Sequence, residues 1–130
     1  MTISAQKTAL EVVSEMYEAA FQGNIEGFQA TVSEDFEFHQ PTYLPHAGVF
    51  RGPAGFKAEM EAGGKWVDVP SVKLLYLFGD DERVAGVVDI GLKNGKRSTV
   101  LEEWQVRDGK ICFARAYWFD PSNLDGLIDD

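Results

Sequence analysis

The stretch RVAGVVDIGLKNGKRSTVLEEWQVRDGKICFARAYWF, residues 83–119, decides the fold. Its side chains alternate with a period of two over Arg83 to Lys93, Ser98 to Arg107 and Lys110 to Phe119, the spacing of strands that show alternate residues to opposite faces. Asn94-Gly95 and Asp108-Gly109 separate these runs, and such dipeptides adopt the backbone angles that tight hairpins require. Working backwards, Val69 to Phe78 forms a further run, joined to the others by Gly79-Asp80-Asp81. Consecutive strands linked by short turns predict a largely antiparallel sheet.

Upstream the period changes. From Ser4 to Phe21, Ala9, Val12, Val13, Met16, Tyr17, Ala20 and Phe21 recur at three- and four-residue steps, which predicts a one-sided helix. Gly23 stops it, and Asn24 caps a second short helix with Ile25, Phe28 and Val32 inside. Phe36 to His39 alternates as a short strand that Pro41 must end, because proline has no N–H for the next ladder bond. Residues 41–52 read as an irregular, proline-stiffened loop, and Gly52-Pro53 opens a third helix that Gly63-Gly64 closes. Leu124, Leu127 and Ile128, in an acidic tail, read as a short docking helix or a frayed end. Helices first and sheet afterwards predict a single α+β domain over residues 1–130, with a curved, mainly antiparallel sheet on three N-terminal helices around an apolar pocket.

Composition narrows the function. Hydrophobic residues at 45% and charged residues at 25% are those of a chain that folds around a core. A net charge of -9 repels phosphate backbones and anionic lipid heads, so nucleic acid and membranes are poor partners. No apolar run is long enough to span a bilayer, and Met1 to Ser4 leads into the amphipathic helix rather than a signal sequence, which predicts a cytoplasmic protein. Cys112 is the single cysteine and His39 and His46 are the only histidines, a poor set for disulfides or zinc; no metal or cofactor is expected.

Several segments together resemble a known superfamily. They are VSEMYEAAFQG (13–23), Asn24 to Phe28, Ser33 to Pro41 and Phe50 to Phe56, followed by Glu103 to Ile111 and Tyr117 to Asp120. They are similar to the nuclear-transport-factor-two-like superfamily, which includes SnoaL-like and ketosteroid-isomerase-like proteins. The resemblance implies a cone-shaped α+β fold with a deep apolar pocket, and homodimers paired through the outer sheet face. It implies no reaction, since the superfamily spans isomerases, hydrolases, dehydratases, cyclases and non-catalytic binders.

By the same resemblance, Tyr17 matches the tyrosine that ketosteroid isomerases use as an oxyanion donor, and Glu102, if it faces inward, matches their protonated acid. The catalytic aspartate of those isomerases falls on Gln40, and an amide cannot take a proton. Asp89 looks like the aspartate of limonene-epoxide hydrolases, but Val87 and Ala116 stand where their arginine and second aspartate would be.

The residues add their own reading. Asp89 lies among Val87, Val88, Ile90 and Leu92 in a strand expected to be buried, which makes it a candidate acid or base or a structurally paired carboxylate. Glu102 and Glu103 must face opposite ways, and Glu102, which shares its face with Trp104, is taken as the inward one. Strand alternation turns Gln40 in and His39 out, unless a bulge before Pro41 makes His39 a candidate base. Ala114, Ala116 and Trp118 are assigned to the pocket wall, with Phe113, Arg115 and Tyr117 on the outer face. Tyr43 and His46 belong to a loop at the pocket mouth, as gate or plain surface loop, and Trp66 caps the cavity or covers an edge. Two functions follow. One is a cofactor-free acid/base enzyme using Asp89, Tyr17, Glu102 or His39 on a cyclic, steroid-, terpene- or polyketide-like substrate; the other is a non-catalytic protein that binds such an apolar ligand.

Overall fold

Thr8 starts the first helix, α1 (Ala9–Phe21): its hydroxyl accepts the Glu11 N–H at 3.1 Å, and the Glu11 carboxylate accepts the Thr8 N–H at 2.9 Å. This reciprocal cap places the start later than the predicted Ser4. Gly23, at φ +69°, ends the turn, and Asn24 Oδ1 accepts the Gly27 N–H at 3.0 Å to open α2 (Ile25–Gln29). The computed structural model describes residues 7–124.

The remaining elements are β1 (Val32–Gln40), β2 (Gly48–Arg51), α3 (Gly52–Gly63), β3 (Val67–Gly79), β4 (Arg83–Leu92), β5 (Arg97–Arg107) and β6 (Lys110–Trp118). A 3-10 turn, Pro121–Leu124, follows; the predicted roles of Leu127 and Ile128 lie outside the described residues. Val32 opens β1 instead of ending α2, so the first strand begins earlier than its alternation suggested. The loop read as irregular contains β2, whose four residues are too few to display a period.

The strands form one open mixed sheet in the order β2-β1-β6-β5-β4-β3. All neighbours are antiparallel except β1 and β6, which run parallel. That pairing joins the first strand to the last and is invisible to local hairpin signals. Among the described residues no helix is long and apolar enough to cross a membrane.

Register fixes what each face carries. On the inner face Glu102 sits between Ala116 of β6 and Gly86 of β4, and Trp104 between Ala114 and Val84. On the outer face a row runs Tyr117, Leu101, Val87 and Tyr76 across four strands. Among the described residues the helices cover the inner face, where Met16, Phe28, Phe36, Phe38, Phe56 and Trp104 make the centre of the core. Phe28 and Phe56 stack with centroids 3.8 Å apart, so α2 and α3 lock together over β1.

Candidate functional site

Between the helices and the inner sheet face lies a cavity of about 480 Å³. Its wall is mostly apolar, with Met16, Phe28, Phe38, Val88, Ile90 and Val100 among the lining residues. Two carboxylates, Glu102 and Glu59, interrupt it.

Glu102 comes from the middle of β5, and its two cross-strand neighbours explain its accessibility. Ala116 is short, and Gly86 has no side chain. Tyr17, from the buried stripe of α1, fills the space over Gly86: a Cβ there would overlap its hydroxyl and ring. Tyr17 Oη donates to Glu102 Oε1 at 2.6 Å and accepts the Trp104 Nε1–H at 2.9 Å. The three side chains therefore form one directed chain from indole through phenol to carboxylate. The surface that Glu102 retains opens onto the cavity.

Electrostatics follow from that enclosure. Burial pushes the Glu102 carboxyl up to about 7; the Tyr17 hydrogen bond pulls against this, and the nearby Glu59 charge adds to it. Burial, reinforced by the Glu102 charge, holds the Tyr17 phenol well above its ordinary range, so it stays a donor. A carboxyl that titrates near neutrality inside an apolar cavity can both take and return a proton.

Glu59 forms the second polar pole. It sits on the buried face of α3, one turn after Phe56 and one before Gly63. Gln40 Nε2 donates to Glu59 Oε2 at 2.9 Å, and His46 Nε2 lies 3.1 Å from the same oxygen. Gln40 projects inward from the end of β1, and His46 is carried in by the loop after Pro41, whose Leu44 is also buried. Glu59 was not singled out in the sequence; its position on the Phe56–Gly63 helical stripe was the available signal.

The structure brings together Tyr17, Gln40, His46, Glu102, Trp104, Ala116 and Trp118 around the cavity. Five other candidates lie elsewhere. Asp89 is on the outer face, bound through both oxygens by Arg97 Nε at 3.1 and 3.2 Å, which corrects its expected burial. The apolar run around it is buried on one side only, because Val88 and Ile90 alternate inward and, among the described residues, no helix covers the other face. His39 also faces outward, 3.0 Å from Glu37 Oε1 and against the Phe113 ring, because β1 keeps regular register through residues 37–40, its irregularity falling earlier, between Val32 and Glu37. Tyr43 is exposed in its loop. Trp66 is buried behind the wall, packed on His46 and Trp118. Ala114 pairs with both Phe38 and Trp104, whose rings meet edge to face at 5.6 Å, and it does not reach the cavity. Glu103 faces outward and accepts the Tyr117 hydroxyl at 2.9 Å, so Glu102 is the inward member of the pair. Among the described residues no three His, Cys, Asp or Glu side chains converge as a metal site.

Solved structures share this architecture. An NTF2-like protein from Burkholderia thailandensis E264 is 21% identical, with a TM-score of 0.82 over 95% of this chain and 99% of that one. An NTF2-like protein from Burkholderia xenovorans LB400 is 22% identical, with a TM-score of 0.77 over 96% of this chain and 100% of the other. TerC, co-crystallized with polyporic acid, is 21% identical, with a TM-score of 0.71 over 93% and 98% of the two chains. No curated protein matches the chain in sequence. The SnoaL-like domain model matches residues 13–114, from the first helix into the last strand. With that match spanning most of the sequence, this chain belongs to the SnoaL-like domain family.

Proposed function

We propose that this chain is a cofactor-free acid/base enzyme acting on an apolar, cyclic small molecule of steroid, terpene or polyketide type. The observation that carries this reading is Glu102: a carboxyl titrating at about 7, oriented by Tyr17 at 2.6 Å, and open to a 480 Å³ apolar cavity. Ionised Glu102 takes a proton from the bound substrate, and the protonated carboxyl returns it at another position or to the leaving oxygen. Tyr17 and Trp104 hold the carboxylate in place and stay protonated throughout. Glu59 with Gln40 and His46 binds the substrate's polar end. Asp89 and His39 take no part, since both face away from the cavity. That TerC was co-crystallized with polyporic acid supports a small molecule as the ligand.

The test needs no native substrate. A nitrobenzisoxazole loses one ring C–H proton to a base while its N–O bond breaks, giving a coloured phenolate. The expected result is turnover that rises with pH around a midpoint near 7 and disappears in Glu102→Gln. Turnover no faster than that of free acetate, or unchanged by the substitution, would sink the enzyme reading. The alternative, a binding protein that only carries such a ligand, would then stand, and the ligand recovered from the purified protein would be chemically unaltered.

The same proposal places two copies back to back in the cytoplasm. The row Tyr117, Leu101, Val87 and Tyr76 gives the outer face a continuous apolar band, and Phe78 and Phe119 are exposed beside it. Sedimentation should give twice 14.4 kDa at micromolar concentration; a monomer mass removes the pairing.

A further inference from the structure

The cavity opens between the end of α1, the end of α3 and the start of β3, and the side chains there are apolar and half in water. Phe21, the last residue of α1, and Val69, near the start of β3, both line the cavity, yet they are 51% and 50% exposed. Pro70, beside Val69, also lines it and is also exposed. The end of α3 meets this edge: a Cβ on Gly64 would lie 3.8 Å from Val69 Cγ2.

A break in β3 builds the β-side of this lip. In a regular strand Val69 and Pro70 would face opposite ways, yet both reach the cavity. Between Asp68, paired with Gly91, and Lys73, paired with Asp89, β3 advances five residues while β4 advances two. Ser71 holds the extra residues in place: its hydroxyl donates to the Asp68 carbonyl at 2.6 Å and accepts the Gly91 N–H at 2.9 Å. Pro70 has no N–H to leave unpaired in the bulge. Such bulges re-aim side chains at sheet rims and beside binding sites.

On the helical side an aromatic track leads inward. Tyr17, whose hydroxyl meets Glu102 at 2.6 Å, stacks on Phe21 one turn later, with centroids 6.1 Å and planes 27° apart. Besides Glu59 and Glu102, no charged side chain lines the cavity among the described residues. Polarity therefore falls from the interior to the opening, with carboxylates inside and hydrocarbon at the edge. Apolar surface left in water at a cavity mouth is costly, and the tail of a ligand removes that cost.

We propose that Phe21, Val69 and Pro70 form a lip that selects an elongated ligand, whose polar end enters toward Glu102 and Glu59 and whose apolar tail stays at the opening under these three side chains. This rests on reading the cavity as the site of the acid/base chemistry, and it names the shape of the substrate and the residues that measure it.

Three neutral probes test it: 4-butyl-, 4-hexyl- and 4-octylbenzyl alcohol, titrated into the intact protein by calorimetry. A covered methylene contributes about fourfold in affinity, so the octyl alcohol should bind at least about tenfold tighter than the butyl one. Any apolar cavity favours longer tails to some degree, so the variant decides. Phe21→Ser combined with Val69→Thr should hold the butyl alcohol within about twofold of wild type and cut the octyl advantage to about threefold or less. Val69→Thr alone keeps its shape at a half-exposed position and should lower that advantage by about twofold, which carries the test even if the double variant folds poorly. An octyl advantage unchanged in these variants overturns the proposal. Equal weakening of all three alcohols does so too, as does a wild-type protein that binds none of them. Turnover of the benzisoxazole does not enter this comparison, so failure of the catalytic reading and failure of the lip are separable.

Discussion

Glu102→Gln should remove a pH-dependent loss of stability of about 3 kcal/mol. In the unfolded chain the carboxyl titrates near 4.5, and in the folded protein burial moves it to about 7. Below about pH 4.5 it is protonated in both states and imposes no penalty. As pH rises through 7 the folded protein must carry a charge inside an apolar cavity, while the unfolded chain has already ionised in water. The native state binds more protons over this window, so stability falls with pH. The rise from 4.5 to about 7, at about 1.36 kcal/mol per pH unit, sets the size of the fall. Glutamine keeps the shape and an oxygen to accept the Tyr17 hydroxyl but cannot ionise. Urea unfolding of both proteins at intervals from pH 4 to 9 gives the difference directly, since the other titrating groups are common to both and cancel. The difference should grow to about 3 kcal/mol between pH 5 and 8 in favour of the variant. A difference that stays flat, or grows the other way, would refute the desolvated carboxyl and with it the case for Glu102 as the proton carrier.

Tyr17→Phe removes the donor that opposes the rise of Glu102, so the carboxyl midpoint, followed by carbon NMR, should move up by about one pH unit or more. A midpoint that stays or falls would contradict the hydrogen-bond geometry. Gly86→Ala should act through the same contact, because the added methyl takes the place of the Tyr17 hydroxyl. It should cost about 1 to 3 kcal/mol of stability and raise the Glu102 midpoint, and the double variant with Tyr17→Phe should be far from additive. Simple additivity would mean that the glycine does not position the tyrosine. Asp89→Asn should leave benzisoxazole turnover unchanged and cost about 1 kcal/mol or less, because the Arg97 pair is partly open to solvent. A loss of turnover would return Asp89 to the site.

Much of the inner face was legible because a strand's period is two. Once Trp104 was taken as inward, Glu102 had to follow and Glu103 had to leave, and Ala116 with Trp118 followed on β6. The same rule turned Gln40 in and His39 out. Asp89 was misjudged because an apolar run does not say how many faces are covered; that depends on where the helices pack. Glu59 was passed over because a glutamate on a helix is ordinarily solvated, and only the arrival of Gln40 and His46 from a distant strand and loop makes it a buried pole.

The sequence by itself determined the helices and the five longer strands, their order and the side of most strand residues, since period, capping and turn chemistry are local. Tertiary structure alone decided which residues meet. The parallel β1–β6 pairing, the Tyr17 hydroxyl over Gly86 and the Glu59 pole join positions separated by 13 to 79 residues. No local preference encodes such contacts; they arise from how three helices fill one face of a sheet, and the Glu102 carboxyl near 7 is a consequence of that packing.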